Sequence, residues 1–160
     1  MLRKLQKNSR VAKGFTIIEV MIVLAIAGLI MVVVLIAVPQ LQRSQRDSNR
    51  QNVVNRINSE LGAYSSNNNG TYPFVTLALA DFNSRYVASL ERRNPQTGND
   101  YAVVAATAIA NRPTPDQIMI FPGTSCAGEL PTGTISTTSR QYSLVALLER
   151  ANVFYCIDNN

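Results

Sequence analysis

Between residues 20 and 42 no side chain carries a formal charge, and residues 20–38 alone hold thirteen valines, isoleucines and leucines. About 20 consecutive apolar residues suffice for a helix to cross the hydrocarbon core of a bilayer. In lipid the backbone has to satisfy its own hydrogen bonds, so a lone segment of this kind is a helix. Glu19 stands one residue before it. Each aliphatic contributes roughly −0.3 to −0.6 kcal/mol to insertion and a central charge costs about +2.5 to +3.5, so one peripheral carboxylate does not prevent it. An ionisable group in this position is a mark of function rather than of anchoring.

The charge is unevenly placed. The chain of 160 residues has a formal charge of +5, and Arg3, Lys4, Lys7, Arg10 and Lys13 account for it; from Phe15 onward ten arginines balance ten carboxylates and no lysine remains. Basic residues flanking a first apolar segment stay on the cytoplasmic side, which sends the carboxyl-terminal part outward. Arg43, Arg46 and Arg50 beyond the run oppose this weakly, with Asp47 among them. A cleaved secretory signal has a shorter apolar region of roughly 7–15 residues ending in a small-x-small site. The run here is longer and ends in Ile36-Ala37-Val38-Pro39, so it is expected to be retained.

At the junction of basic leader and apolar run stands Lys13-Gly14-Phe15-Thr16-Ile17-Ile18-Glu19-Val20. These residues resemble the processing site of type IV prepilins. The resemblance implies cleavage by prepilin peptidase after Gly14, methylation of the new amino terminus at Phe15, and a role for Glu19 in filament assembly. It implies segments 1–14 as leader, 15–39 as transmembrane and assembly helix, 40–65 as its amphipathic half, and 66–160 as the extracytoplasmic domain. The expected precursor is a single-pass protein of the inner or cytoplasmic membrane, held by lipid and later extracted into an extracellular pilus. Its partners would be further copies of itself, the peptidase, and an ATP-driven assembly motor with its platform proteins. Pseudopilins of type II secretion or competence systems share the same motif.

Glu19 then has a candidate counter-ion, because the amine freed at Phe15 is cationic near neutral pH. Two unit charges about 4 Å apart attract by roughly 4 kcal/mol at an effective dielectric of 20, before desolvation. Leaving the carboxylate unpaired in an apolar core costs several kcal/mol, so correct register between neighbours is rewarded. The alternative is a Glu19 at the lipid interface, hydrated or protonated and without partner. Phe15, Ile17, Ile18, Met21 and the aliphatics that follow suit either bilayer or helical bundle, being apolar all round.

Past Pro39, the residues Leu41, Val54, Ile57, Leu61 and Tyr64 recur near helical spacing, with Arg43, Arg46, Asn49, Arg50 and Arg56 on the wet side. The helix is expected to continue to Tyr64 and to end in Ser65-Ser66-Asn67-Asn68-Asn69-Gly70. A kink is expected near Pro39, with Gly28 a second weak point; ordinary tolerance of both residues in a membrane helix is the alternative. Leu79, Phe82, Tyr86 and Leu90 suggest a short amphipathic helix, and Asn94-Pro95-Gln96-Thr97-Gly98 a turn. Strands are expected at 101–105, 117–121, 141–148 and 152–157, the last two as a hairpin, with a loop at 128–139. The fold class is α+β: a long amino-terminal helix on a small antiparallel sheet, its carboxyl-terminal region bounded by a disulfide.

Cys126 and Cys156 are an even pair in the exported part, which favours a disulfide over two free buried thiols. Without histidine, and without a phosphate-binding glycine loop or a nucleophile beside a base, neither enzyme activity nor a cofactor or metal is expected. Asp81, Glu91, Asp100, Asp116 and Asp158 read as solvated carboxylates outside any calcium-loop pattern. Arg85, Arg92, Arg93, Arg112, Arg140 and Arg150 are candidate phosphate contacts for DNA or surface binding by a minor pilin, against a balanced charge that gives little general attraction. Asn69-Gly70-Thr71 matches a glycosylation acceptor, though its composition is first that of a helix-ending turn.

Overall fold

A computed structural model of the chain describes residues 14–88, 90, 92–150 and 153–159; the leader before Gly14, Glu91 and the expected start of the last strand at Asn152 lie outside them. Two compact units divide it, residues 1–40 and 41–160. One helix, α1 (Ile17–Asn67), runs through both. It passes through Gly28 and Pro39 without a break in helical structure.

In the first unit α1 has no buried residue, in keeping with a helix that from Val20 to Val38 carries no charged side chain and whose solvent is meant to be lipid. Among the described residues it is the one helix long and apolar enough to cross a membrane.

The second unit is built on the rest of α1. Among its buried residues Asp47, Arg50, Val54, Ile57, Leu61 and Tyr64 follow one another at intervals of three or four, a single stripe that Val53 and Ser65 flank. Arg50 therefore lies on the buried stripe and not on the wet side, whereas Leu41 is exposed. The helix ends where Asn69 and Gly70 take positive φ, 54° and 77°. There the Gly70 amide donates to the Ser65 carbonyl at 2.8 Å and the Asn68 side chain to the Tyr64 carbonyl at 2.8 Å. Both bonds satisfy carbonyls that a helix end leaves open.

The connecting region forms α2 (Thr76–Phe82), continued by one π-helical turn at Asn83–Val87. The Tyr64, Phe82 and Tyr86 rings meet at centroid distances of 5.4–5.8 Å, which fastens this segment to α1. Six strands follow among the described residues: β1 (Ala102–Ala105), β2 (Gln117–Pro122), β3 (Thr124–Ala127), β4 (Leu130–Gly133), β5 (Tyr142–Leu147) and β6 (Phe154–Asp158). Four make a sheet in the order β1-β2-β5-β6, and β3 with β4 makes a separate hairpin. The larger sheet is mixed, since β1 joins β2 in parallel while the other pairs are antiparallel. The β3–β4 hairpin falls partly where a loop was expected, its residues forming two short paired strands, with Thr124 and Pro131 buried, rather than coil. Gly123 turns β2 into β3 with φ 77°; a Cβ there would stand 2.6 Å from the Thr134 carbonyl oxygen.

β5 is buried along nearly its whole length because both of its faces are covered. Tyr142, Leu144 and Ala146 join Val54, Ile57 and Leu61 of α1 in the main core, with Ile118 and Ile120 of β2. Val145 faces the other way into a smaller cluster with Phe121 and Ala106. Beside it the Thr124 and Ser143 hydroxyls meet at 2.6 Å, joining β3 to β5. The Cys126–Cys156 disulfide ties β3 to β6 across a sequence separation of 30 residues. Closing a loop of that size contributes about 3.5 kcal/mol in the chain-entropy view.

Candidate processing and assembly site

Gly14, Phe15 and Thr16 lead into the first helical turn, and the helix starts at Ile17 because Thr16 caps it. The Thr16 amide and hydroxyl each donate to Glu19 Oε2 at 2.8 Å, and the Glu19 amide donates to the Thr16 hydroxyl at 3.3 Å. This is a reciprocal capping box, Thr at the cap and Glu three residues on. A signature of that form is visible in the sequence Thr16-Ile17-Ile18-Glu19. Glu19 is thus neither buried nor bare: it is exposed and holds the two groups that begin the helix. A negative group also suits the positive end of the helix dipole.

The peptide unit ahead of this cap is open. Phe15 is 90% exposed, and nothing among the described residues lies within 4 Å of the position a Cβ would take at Gly14. The structure brings Gly14, Phe15, Thr16 and Glu19 together through sequence adjacency and the cap. It holds Cys126 and Cys156 in the second unit, within that unit's own sheet framework.

The second unit has its own polar centre, which sequence reasoning missed. Arg50, 2% exposed, donates to the Tyr101 hydroxyl at 3.1 Å, to the Leu147 carbonyl at 3.2 Å, and to the Asn94 and Gln96 side chains at 3.4 and 2.8 Å. Four oxygens substitute for the water lost on burial. Asp47 accepts from the Glu149 amide at 2.7 Å, and Arg46 grips the Glu149 carboxylate with two bonds of 2.6 Å. That Arg46 hydrogen bond holds the Glu149 pKa below the usual carboxylate range. The available signal was spacing: Asp47 and Arg50 extend the Val54, Ile57, Leu61 stripe backward by turns.

The expected turn at 94–98 closes with the Gly98 amide donating to the Asn94 carbonyl at 2.8 Å. Asp116 anchors it, accepting from the Thr97 hydroxyl and the Asn99 and Asn94 carboxamides, and these bonds lower its pKa. Asp116 and Asp158 are accordingly structural acceptors rather than solvated surface groups; Asp158 takes the Cys126 amide at 2.7 Å. Of the candidate phosphate contacts, Arg85 pairs with Asp81 at 2.6 Å and Arg92 with Asp100 at 3.8 Å, while Arg112 donates to the carbonyls of Ile109 and Asn111. Burial raises the pKa of Tyr101 and, further, of Tyr142, whose hydroxyl donates to Asn58 at 2.7 Å.

Residues 9–35 match the family model of the prokaryotic N-terminal methylation motif, a stretch that covers the leader junction, the capping box and most of the apolar run. The chain carries the type IV pilin and pseudopilin signature. No curated protein and no solved structure matches it significantly. The prepilin motif marks pilin-like structural proteins, a class that is typically non-enzymatic, made as membrane-anchored precursors and built into filaments after processing by a prepilin peptidase. The apolar helix, the small mixed sheet and the disulfide are in keeping with it.

Proposed function

We propose that the chain is a structural subunit of a type IV pilus, cut between Gly14 and Phe15, methylated at Phe15, and polymerised with Glu19 paired to the amino terminus of a neighbouring copy. The observation that carries this reading is an exposed Gly14–Phe15 junction directly ahead of a lipid-length apolar helix whose first turn bears the chain's one carboxylate before Asp47. In the precursor that carboxylate serves the Thr16 cap. Cleavage supplies a cationic amine four residues away, and its counterpart on the next copy becomes a second, stronger partner. Before assembly the segment 15–39 lies in the inner or cytoplasmic membrane with the leader inside, and residues 66–160 lie outside; afterwards the same segment forms the dry centre of the filament. Extraction from lipid is driven work, which a cytoplasmic ATP-driven motor acting through platform proteins supplies.

The test is the amino-terminal residue of the protein purified from membranes, expected to be a methylated Phe15. Gly14→Val places a branched side chain where the peptidase meets none and should leave the longer precursor with its five leader charges. Maturation of that variant to the wild-type mass would refute the assignment. A pseudopilin of a secretion or competence apparatus shares the motif, and filament length together with the neighbouring assembly components separates the two.

A further inference from the structure

The second unit carries a surplus of positive charge where α1 follows its apolar run. Arg43, Arg46 and Arg50 stand at intervals of three and four on one face of the helix, and Arg150 lies in the turn after β5. Against these four cations the 41–50 and 147–150 segments hold two carboxylates, Asp47 and Glu149. Both are engaged. Arg46 grips Glu149 with two bonds of 2.6 Å, and Asp47, which takes the Glu149 amide, lies 3.9 Å from Arg50. Arg43 and Arg150 are exposed, and neither guanidinium has a hydrogen bond or ion pair among the described residues. The Glu149 pKa is lowered first by the Arg46 hydrogen bond and then by the charges of Arg46, Arg50 and Arg43, so Arg43 acts on the same turn without closing an ion pair.

The turn that bears Arg150 is fixed. The Leu148 amide donates to the Val153 carbonyl at 2.9 Å and the Val153 amide to the Arg150 carbonyl at 3.2 Å, while the Arg46 and Asp47 bonds to Glu149 hold the turn to α1. Its distance from lipid follows from the chain. Arg43 comes five residues after Val38, where the uncharged aliphatic run ends, and Arg46 eight residues after it. At the helical rise these are about 7.5 and 12 Å, and five residues fully extended reach no more than about 18 Å. The polar layer of a bilayer occupies roughly 5–7 Å beyond the hydrocarbon on each side. Arg43 is therefore at headgroup level and the 147–150 turn close above it, within reach of a long arginine stem.

We propose that Arg43 and Arg150 dock the second unit on phospholipid phosphates of the leaflet from which α1 emerges, a contact that rests on the membrane-anchored reading of residues 15–39. The bilayer is the partner that the apolar run itself brings within reach. A guanidinium offers a phosphate two parallel charge-assisted hydrogen bonds, and here two guanidiniums are left over after the local carboxylates are satisfied. Phospholipid phosphates line both faces of a bilayer, so the contact does not depend on which face the second unit occupies. It gives a use to arginines that run against the charge asymmetry set by the leader. Release of the two phosphates then becomes part of the work of extracting the subunit.

The experiment uses the full-length chain in vesicles of phosphatidylcholine and phosphatidylglycerol, with a trace of phosphatidylglycerol bearing a photoreactive headgroup. Illumination should label the 147–150 segment as well as 41–50, which is held near the surface by its tether alone. Each arginine near an anionic surface changes partitioning by roughly fivefold, so Arg43→Gln combined with Arg150→Gln should lower the labelling of 147–150 at least tenfold. Arg43→Lys combined with Arg150→Lys keeps the charge and should stay within threefold of wild type. Labelling confined to 41–50, labelling directed to the Arg56 and Arg93 face, equal labelling in the glutamine pair, or loss in the lysine pair would each overturn the docking and leave the anchor standing. A chain that alkaline carbonate strips from the vesicles would overturn the membrane reading and the docking with it.

Discussion

Glu19 has two separable tasks in this proposal, and the two can be tested apart. As a capping residue it accepts from Thr16, a role that glutamine also fills in a capping box. As a counter-ion it needs its charge. Glu19→Gln should therefore keep the helix start and the processing site yet assemble poorly, and Glu19→Val should be processed, remain in the membrane and give few or no filaments. Thr16→Ala removes the cap alone and should cost the helix start about 0.5–2 kcal/mol, with assembly retained. Normal filament number from Glu19→Gln, counted by electron microscopy, would leave the residue with capping only. Arg50 is the opposite kind of residue, its charge held by a site already complete. Arg50→Ala strips four acceptors of their donor in a buried setting and should destabilise the second unit by about 3–5 kcal/mol, measured by denaturant titration of the whole protein in detergent.

At the scale of elements, α1 is one helix with two solvents. Its first part is apolar on every side, and its second part has a stripe that is aliphatic from Val54 to Leu61, aromatic at Tyr64 and ionic at Asp47 and Arg50. The aliphatic half of that stripe was legible because its period is that of a helix. The ionic half was not, since a charged residue is read as solvated unless its partners are known, and those partners lie 44–102 residues away in sequence. The disulfide links elements that are otherwise in different sheets, β3 and β6. Loss of either cysteine should lower stability by about 2–5 kcal/mol, and both should resist alkylation in native, unreduced protein. Quantitative alkylation there would show that the pair is not oxidised in the cell.

For the whole molecule the paired carboxylates set an acid limit. Arg46 lowers the pKa of Glu149, and the Thr97, Asn99 and Asn94 donors lower that of Asp116. Near their ordinary values of 4.5 and 3.8 the unfolded chain therefore binds more protons than the folded one. Stability from both groups is fully present at neutral pH, begins to fall as the pH drops through those values, and is lost below the folded pKa values. The melting temperature should fall on acidification from about pH 5 to pH 3, and less steeply in Glu149→Gln than in wild type. An equal slope in the variant would mean that Glu149 does not contribute.

The apolar helix could be read from the sequence, because lipid imposes a length, a composition and a hydrogen-bonding rule that local sequence alone must meet. The leader junction, the apolar run and the position of Glu19 need no tertiary partner to be recognised. The helix end at Asn69-Gly70 and the four sheet strands were legible for the same reason, each being announced by turn residues or by alternation nearby. What the tertiary structure decided is pairing. The parallel seat of β1, the β3–β4 hairpin, the burial of Arg50, and the commitment of Asp116 and Asp158 to backbone and turn donors all depend on groups brought together from distant segments. Sequence carries the propensity of each segment, whereas the satisfaction of a buried charge is a property of its surroundings, and those exist only once the chain has folded.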